Sequence, residues 1–202
     1  MLQGLIIDDE IIFQHPFKTK SEVVNHLLNL ISRHDTGTAR HCHNVAEMAV
    51  KFARILNLPC QTVEDIETAA LLHDIGKIKI PKEILNKPDK LTEDEFEVIK
   101  KHSQYGFEIL KNFTQLKNIA EDVYCHHERY NGKGYPNGKS GQEISLIAQI
   151  LSITDVYDAL TSDRIYRKAM APKEASQVIY SEMKNHFNSK LVNIFLGESA
   201  KR

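Results

Sequence analysis

Hydrophobic residues recur at steps of three and four along most of the chain, which is the spacing of a helix with one buried face. Val45, Met48, Ala49 and Phe52 are one such run. No strand-rich region and no internal repeat interrupts the pattern. The sequence therefore predicts an all-α helical bundle, with helices near 21–34, 38–56, 63–74, 82–85, 92–110, 115–128, 144–159, 172–187 and 190–196.

Polar residues mark where two of these helices begin. We predict Ser21 as the N-cap of the first helix, and Thr92 followed by Glu95 has the spacing of a capping box. Residues 1–18 precede the first strong helical pattern. We therefore predict a short N-terminal arm over 1–18 and one domain over 19–202.

Three of the predicted buried faces carry a side chain that can bind a metal ion. His41 lies one turn before Val45, His102 lies on the stripe of Ile99, and Asp155 lies within an otherwise apolar face. A histidine at such a position is more often a hydrogen-bonded core residue. A buried acid, in contrast, is costly unless it is paired or bound to metal.

Two adjacent pairs add further ligands. His73 and Asp74 end the third predicted helix, where Gly76 permits a turn and Lys77 follows within reach. His126 and His127 end the sixth. Each pair alone has a plain structural explanation, but ligands from five helices can converge in the bundle core. The combined set of candidate metal ligands is His41, His73, Asp74, His102, His126, His127 and Asp155.

Seven ligands are too many for one tetrahedral zinc ion but suit two octahedral ions bridged by Asp74. Two ions about 3.5–4 Å apart would hold a bridging hydroxide and polarise a phosphoryl group, which predicts phosphoester hydrolysis. The basic cluster of Arg164, Arg167 and Lys168 suits a phosphate by charge. A solvated basic face explains that cluster equally well.

Composition excludes several other functions. With 26 basic and 27 acidic residues the net charge is −1, so nothing predicts general binding to DNA or to a membrane surface. No apolar run approaches the roughly 20 residues of a membrane span, and three scattered cysteines predict neither a disulfide framework nor a thiolate zinc site. We expect a cytoplasmic protein.

The motifs resemble those of the HD-GYP domain, a group of His-Asp metallohydrolases that cleave cyclic di-GMP. The matching stretches are 70–77 (ALLHDIGK), 99–102 (IKKH), 126–129 (HHER), 134–136 (GYP) and 155–164 (DVYDALTSDR). The resemblance implies an HD-domain helical bundle with the metal site in its core. It also implies cleavage of cyclic di-GMP to linear pGpG or onward to GMP at two divalent ions, with iron or manganese favoured over zinc, nickel, magnesium or cobalt.

Residue roles follow from the same resemblance. His73, Asp74 and Lys77 are expected to be catalytic, with Lys77 contacting a phosphate or the bridging hydroxide. Substrate binding is expected from Arg164, Arg167, Asp158 and Tyr135.

Several positions depart from the family pattern. Some members carry a glutamate one turn before the first histidine as a ligand of a third metal, and Gly37 stands there. We therefore predict two metal ions, which could limit hydrolysis to the first bond. Tyr130-Asn131, Ile165 and Asn188-Ser189 replace Trp-Asp, Pro and Asp-Pro, and these changes affect the expected fit of the substrate.

Two other functions stay open. One is an HD-type phosphohydrolase acting on another nucleotide or cyclic dinucleotide. The other is a non-catalytic receptor or docking module, whose GYP loop binds protein partners such as diguanylate cyclases. A homodimer is also left open.

Overall fold

A computed structural model describes residues 9–13, 16–163, 168–183 and 185–199 of the chain. These residues form helices joined by short connections, and the only β-type contact among them is an isolated bridge between Asn131 and Ser140. The all-α prediction is confirmed. The helices are α1 (Asp9–Ile12), α2 (Lys20–His34), α3 (Thr36–Ile55), α4 (Cys60–Leu72), α5 (Lys82–Leu85), α6 (Glu93–Lys100), α7 (His102–Leu110), α8 (Lys117–Tyr124), α9 (Leu146–Thr161), α10 (Pro172–Glu182) and α11 (Ser189–Ser199), with 3₁₀ turns at Ile75–Lys79 and Gly141–Glu143.

The helix starts follow from local hydrogen bonding. Thr19, and not Ser21, caps α2: its hydroxyl accepts from the Glu22 backbone N–H, while the Glu22 carboxylate accepts from the Thr19 backbone N–H. The prediction of Ser21 was wrong because the Thr-x-x-Glu capping box lies two residues earlier. The predicted box of Thr92 and Glu95 is confirmed at the start of α6.

One residue serves the end of α2 and the start of α3. The Asp35 backbone N–H donates to Ile31 O at 2.8 Å, and its carboxylate accepts from the Thr38 N–H at 2.6 Å. Since both helices use Asp35, they meet at a tight corner and α3 begins at Thr36, two residues before the predicted start.

The apolar pattern ran past the observed ends of three long helices, and the one predicted over 172–187 ends at Glu182. The one predicted over 92–110 divides at Lys101 into α6 and α7, and the one predicted over 115–128 ends at Tyr124. His126 and His127 therefore lie in a turn after α8, where their directions are not restricted to the 100° step of a helix.

The bundle is built around α3, which packs against α4 and α9, while α7 packs against the 3₁₀ turn Ile75–Lys79 and against α8. Fully buried apolar side chains fill the space between them, among them Phe52, Leu72, Ile75, Leu110 and Ile119. His73, Asp74, His102 and His126 are buried within the same bundle. No described helix combines the length and apolarity needed to cross a lipid bilayer.

The described part of the N-terminal arm packs on the bundle. Ile12 is fully buried, its carbonyl lies 3.1 Å from the His26 ring Nε2, and Phe13 contacts Phe113 with ring centroids 5.5 Å apart. Lys79 donates to the Asp9 carboxylate at 2.6 Å. Residues 1–8 lie outside the described residues, and the predicted boundary at 18/19 stays a prediction.

Candidate metal centre

The seven predicted ligands come together although they are far apart in sequence. His41 and Asp155 lie inside α3 and α9, His102 is the first residue of α7, and the two pairs 73–74 and 126–127 follow the ends of α4 and α8. Two groups of ligand atoms each lie within 4.8 Å of one another, namely His41 with His73 and Asp155, and His102 with His126 and His127.

Three of these histidines are oriented in the same way. The Nδ1–H of His73, His102 and His126 donates to the carbonyl three residues earlier, at 2.8, 2.7 and 2.5 Å. A neutral imidazole carries one N–H, so each Nε2 presents a lone pair toward the centre of the bundle. Such a backbone contact is how proteins fix the tautomer of a metal-binding histidine.

The arrangement of these lone pairs suits a cation. Nε2 of His102 lies 3.3 Å from Nε2 of His126, although both nitrogens are acceptors. Burial lowers the pKa of His102 to about 4 and that of His126 to about 3, so neither ring is protonated at neutral pH. Nε2 of His73 is buried and has no hydrogen-bond partner among the described residues. Since unpaired buried acceptors are costly, this donor set fits bound metal ions.

Asp74 lies between the two groups. Its Oδ1 is 3.5 Å from His102 Nε2, and its Oδ2 is 3.5 Å from His73 Nε2 and 3.8 Å from His41 Nε2. Burial disfavours the carboxylate, but the charge of Lys77 and the nearby imidazoles outweigh burial and hold the pKa of Asp74 well below its usual range. An ionised carboxylate at this position can serve ions on both sides.

Asp155 joins the groups on the opposite side. Its Oδ1 lies 2.9 Å from His41 Nε2, and its Oδ2 lies 4.0 Å from His127 Nδ1. Burial alone would raise the pKa of Asp155, yet the hydrogen bond and charge of His41 keep it well below its usual range. The acid inside the apolar face of α9 is therefore paired, as the sequence argument required.

His41 is held by a second carboxylate, that of Asp158, for which the family resemblance implied substrate binding. Its Nδ1 donates to Asp158 Oδ2 at 2.6 Å, while Asp158 Oδ1 accepts from Asn44 at 3.0 Å and from Ser162 at 3.0 Å. Burial would lower the pKa of His41, but Asp155 and Asp158 raise it to about 9. These contacts favour a positioning role for Asp158, and its predicted substrate binding stays a prediction.

Two neighbours of the centre were not predicted as site residues. Asn44 lies one turn after His41 and donates to Asp158. The sequence could have indicated this role only if the contact between His41 and Asp158 had been known. Cys42 is buried with its sulfur within 4.8 Å of ligand atoms of His73 and Asp74. Burial and the Asp74 charge raise the pKa of the Cys42 thiol well above its usual value, so it is a neutral neighbour.

Gly76 allows two ligand-bearing segments to touch. A Cβ at this residue would lie 1.9 Å from the carbonyl oxygen of His102 and 2.5 Å from the backbone nitrogen of Gly106. The residue was predicted to permit a turn. The structure places it in the 3₁₀ turn Ile75–Lys79 and shows a second role, the close approach of that turn to α7, which no other residue allows.

A cleft of about 830 Å³ opens beside the metal centre. Lys77 lies at its edge and donates to Asp74 Oδ2 at 2.6 Å, within reach of the ligands as predicted. Tyr135 packs its ring 4.8 Å from that of His127, where burial raises the pKa of its hydroxyl. Both residues line the cleft together with Asp74, His102, His127 and Asp155.

The GYP loop is shaped by close backbone contacts. A Cβ on Gly134 would lie 2.3 Å from the Arg129 backbone nitrogen, and the buried Glu128 carboxylate accepts from the Asn137 N–H at 2.7 Å. The Tyr135–Pro136 peptide bond is cis. Arg164 and Arg167, predicted to bind phosphate, lie outside the described residues.

Comparisons with known proteins agree with the resemblance seen in the motifs. The sequence profile of the family described as HD domain matches residues 22–191. A cyclic di-GMP phosphodiesterase of Pseudomonas aeruginosa is 40% identical over 175 residues, which are 85% of this chain and 42% of that protein. A 3'3'-cGAMP-specific phosphodiesterase of Vibrio cholerae is 34% identical over 181 residues, 89% of this chain and 35% of that protein.

A third relative, the cyclic di-GMP phosphodiesterase response regulator RpfG of Xanthomonas campestris, is 38% identical over 179 residues, 87% of this chain and 47% of that protein. The chain thus spans less than half the length of these curated relatives.

Solved structures agree in fold. The protein Bd1817 of Bdellovibrio bacteriovorus superposes with a TM-score of 0.67 at 20% identity, over 91% of this chain and 58% of that one. The HD domain of the L. monocytogenes phosphodiesterase PgpH also gives 0.67 at 20% identity, over 87% of this chain and 95% of that one. The resemblance seen in the motifs is confirmed, and the chain belongs to the HD domain family.

Proposed function

We propose that this chain is a metal-dependent phosphodiesterase that hydrolyses cyclic di-GMP to linear pGpG at the candidate metal centre. The observation that carries the proposal is the pair of facing acceptors, Nε2 of His102 and Nε2 of His126, 3.3 Å apart beside the ionised Asp74. In the reaction, water adds to phosphorus and the P–O3′ bond breaks, which leaves a 5′-phosphate and a free 3′-hydroxyl. Onward cleavage to GMP is the second step to be tested.

Each ion has its own proposed ligand set. His41, His73 and Asp155 would hold one, and His102, His126 and His127 the other, with Asp74 shared. Ions bound there would supply polarisation of the phosphate and an activated water. We propose two ions because Gly37 carries no carboxylate, and iron or manganese because imidazoles and carboxylates are mixed. Zinc, nickel, magnesium and cobalt are the alternatives.

Lys77 is the proposed phosphate contact within the described residues. Its ammonium group, held by Asp74, borders the cleft and can donate to a phosphate oxygen whose charge grows in the transition state. Tyr135 closes the cleft on the side of His127. Phosphate binding by Arg164 and Arg167 stays a prediction from the motif.

The relatives' names support the substrate class. Several are called cyclic di-GMP phosphodiesterases and others 3'3'-cGAMP-specific phosphodiesterases, at 34–40% identity. Cyclic di-GMP is the first candidate because the motif resemblance implies it and relatives 38–40% identical are named for it, and 3'3'-cGAMP is the second.

A pair of histidines two residues apart provides the test. Protein purified without oxygen is loaded with Mn²⁺ or Fe²⁺ and given cyclic di-GMP, and products are separated by chromatography. We expect linear pGpG from the wild type, and a loss of at least about 100-fold in turnover, with less bound metal, for H41Q. H43Q is the matched control, since His43 is exposed on the same helix. Metal-loaded wild type that is inert toward cyclic dinucleotides would refute the proposal.

A receptor function is the alternative from another class. The loop around Pro136 and Asn137 is exposed, and we propose it as the surface that contacts protein partners such as diguanylate cyclases. Titration calorimetry with cyclic di-GMP beside product analysis separates binding alone from catalysis. Gel filtration of the same sample tests for a homodimer.

A further inference from the structure

An exposed apolar surface borders the cleft beside the metal centre. Helix α6 has no fully buried residue, and Phe96 at its middle is 46% exposed. Leu91, just before the helix, is 37% exposed. Both side chains line the cleft together with Ile84, Leu85 and Pro88, so this wall is available to a ligand.

The wall and the metal centre belong to one continuous space. The cleft that Phe96 and Leu91 line is also lined by Asp74, His102 and Asp155. Its volume of about 830 Å³ is within the range of pockets that enclose whole small-molecule ligands. A ligand whose phosphate lies at the centre can therefore extend its remaining groups along the wall.

Basic side chains lie beside the rings of this wall, and Lys100 is paired with the Glu97 carboxylate. Nζ of Lys100 lies 5.0 Å from the centroid of the Phe96 ring and 5.6 Å from that of Tyr135, so one cation contacts both rings. Lys87, on the same cleft, is held by Glu95 at 2.7 Å. Exposed aromatic side chains beside basic residues bind nucleobases by stacking, and all bases stack.

Asp89 adds the means to select among bases. It is exposed on the same cleft and makes no hydrogen bond or ion pair recorded within the described parts of the chain. A carboxylate only accepts hydrogen bonds. Guanine offers two adjacent donors, N1–H and the N2 amino group, whereas adenine offers one donor beside an acceptor. Asp89 is therefore complementary to guanine.

We propose that Phe96 and Leu91 form a platform for one nucleobase of a cyclic dinucleotide, and that Asp89 selects guanine on that platform. The inference deepens the proposed function and rests on it, because the phosphate must lie at the metal centre for a base to reach α6. Residues 84–96 would then discriminate guanine from adenine.

The platform is tested by changing the ring. We compare wild type with F96A and F96W and measure the Kd and KM for cyclic di-GMP and the metal content. Y180A is the control, because Tyr180 is exposed on α10 and does not line the cleft. We expect F96A to weaken binding by about 5- to 100-fold with unchanged metal content, and F96W to restore it. Binding by F96A equal to that of wild type would overturn the platform.

The selection of guanine is tested with two substrates. D89N replaces one acceptor with a donor and so matches the edge of adenine. We expect the ratio of kcat/KM for cyclic di-GMP to that for cyclic di-AMP to fall about 10-fold or more in D89N. The control D94N, at an exposed position in the first turn of α6, should keep the wild-type ratio. An unchanged ratio in D89N would overturn the role of Asp89.

The two proposals fail in different ways. If the wild type binds cyclic di-GMP without hydrolysing it, catalysis is refuted while the Kd values of F96A and D89N still decide the inference. If the wild type hydrolyses cyclic di-GMP and both variants match it, the inference alone is refuted. If the wild type neither binds nor hydrolyses any cyclic dinucleotide, both are refuted.

Discussion

The imidazole of His41 lies between two carboxylates, one at each ring nitrogen. Only Nε2 faces the other candidate metal ligands. Asp155 contacts Nε2 and Asp158 contacts Nδ1. Asp158 therefore acts on the far side of the ring, where a hydrogen bond fixes the ring's orientation and strengthens it as a ligand. Asn44 and Ser162 in turn fix Asp158.

We expect D158N to lower metal affinity and turnover by about 10- to 100-fold, because the orienting carboxylate is lost. The measurements are metal content after dialysis and the KM and kcat for cyclic di-GMP. The control D94N changes an exposed acid on α6 that is not part of the metal centre. A raised KM with full metal content would instead support substrate binding by Asp158, as the family resemblance implied.

The sequence was sufficient to predict some of the site residues but not the contacts or the exposure of others. His41, His102 and Asp155 could be predicted because a polar residue on an apolar helical stripe stands out. The contacts of Asp158 with His41 and Asn44 could not, because these partners are 117 and 114 residues away. The exposure of Phe96 could not be predicted either, since periodicity finds an apolar face but not whether another element covers it.

At the scale of elements, the contact between the 3₁₀ turn Ile75–Lys79 and α7 depends on Gly76. We expect G76A to destabilise the fold by about 3 kcal/mol or more, because a methyl group would overlap the backbone of His102 and Gly106, which cannot rotate away. The free energy of unfolding from urea titration measures this effect.

Gly197 provides the matched control within the same chain. It lies in α11, and a Cβ there would meet nothing within 4 Å. We expect G197A to be neutral or to stabilise by up to about 1 kcal/mol, since alanine is the better helix former. Equal effects of the two substitutions would contradict the assignment of Gly76 to close packing.

Helix ends were harder to predict than helices. The apolar spacing predicted the order of the long helices. It ran past Lys101, where one predicted helix divides into two, and past Tyr124, where the chain turns. Apolar residues after such a turn still pack inward, so periodicity alone cannot detect it. The turn after α8 determines the metal centre most directly, because it allows His126 and His127 to belong to the same group of ligands.

At the scale of the whole molecule, metal should stabilise the fold because its ligands come from three helices and two turns and assemble only when the bundle is folded. An ion at about 100 times its Kd adds about 2.7 kcal/mol, which for a chain of this size is roughly 5–10 °C in Tm. We expect a chelator to lower the Tm of Mn²⁺-loaded protein by this amount.

Thermal unfolding followed by circular dichroism, with and without chelator, measures the shift. H43Q should respond as the wild type does, and H41Q should show a smaller shift because it holds less metal. A Tm that is independent of chelator in metal-loaded wild type would show that the histidine clusters do not couple metal binding to folding.

The contact at Gly76 also limits how the centre can be re-engineered. The segments that carry His73, Asp74 and His102 meet backbone to backbone, so moving one ligand displaces the others. A library intended to change metal preference would gain little from varying residues around this contact. His41 and Asp155 lie within α3 and α9 and contact each other, so their surroundings can be redesigned together without altering the Gly76 contact.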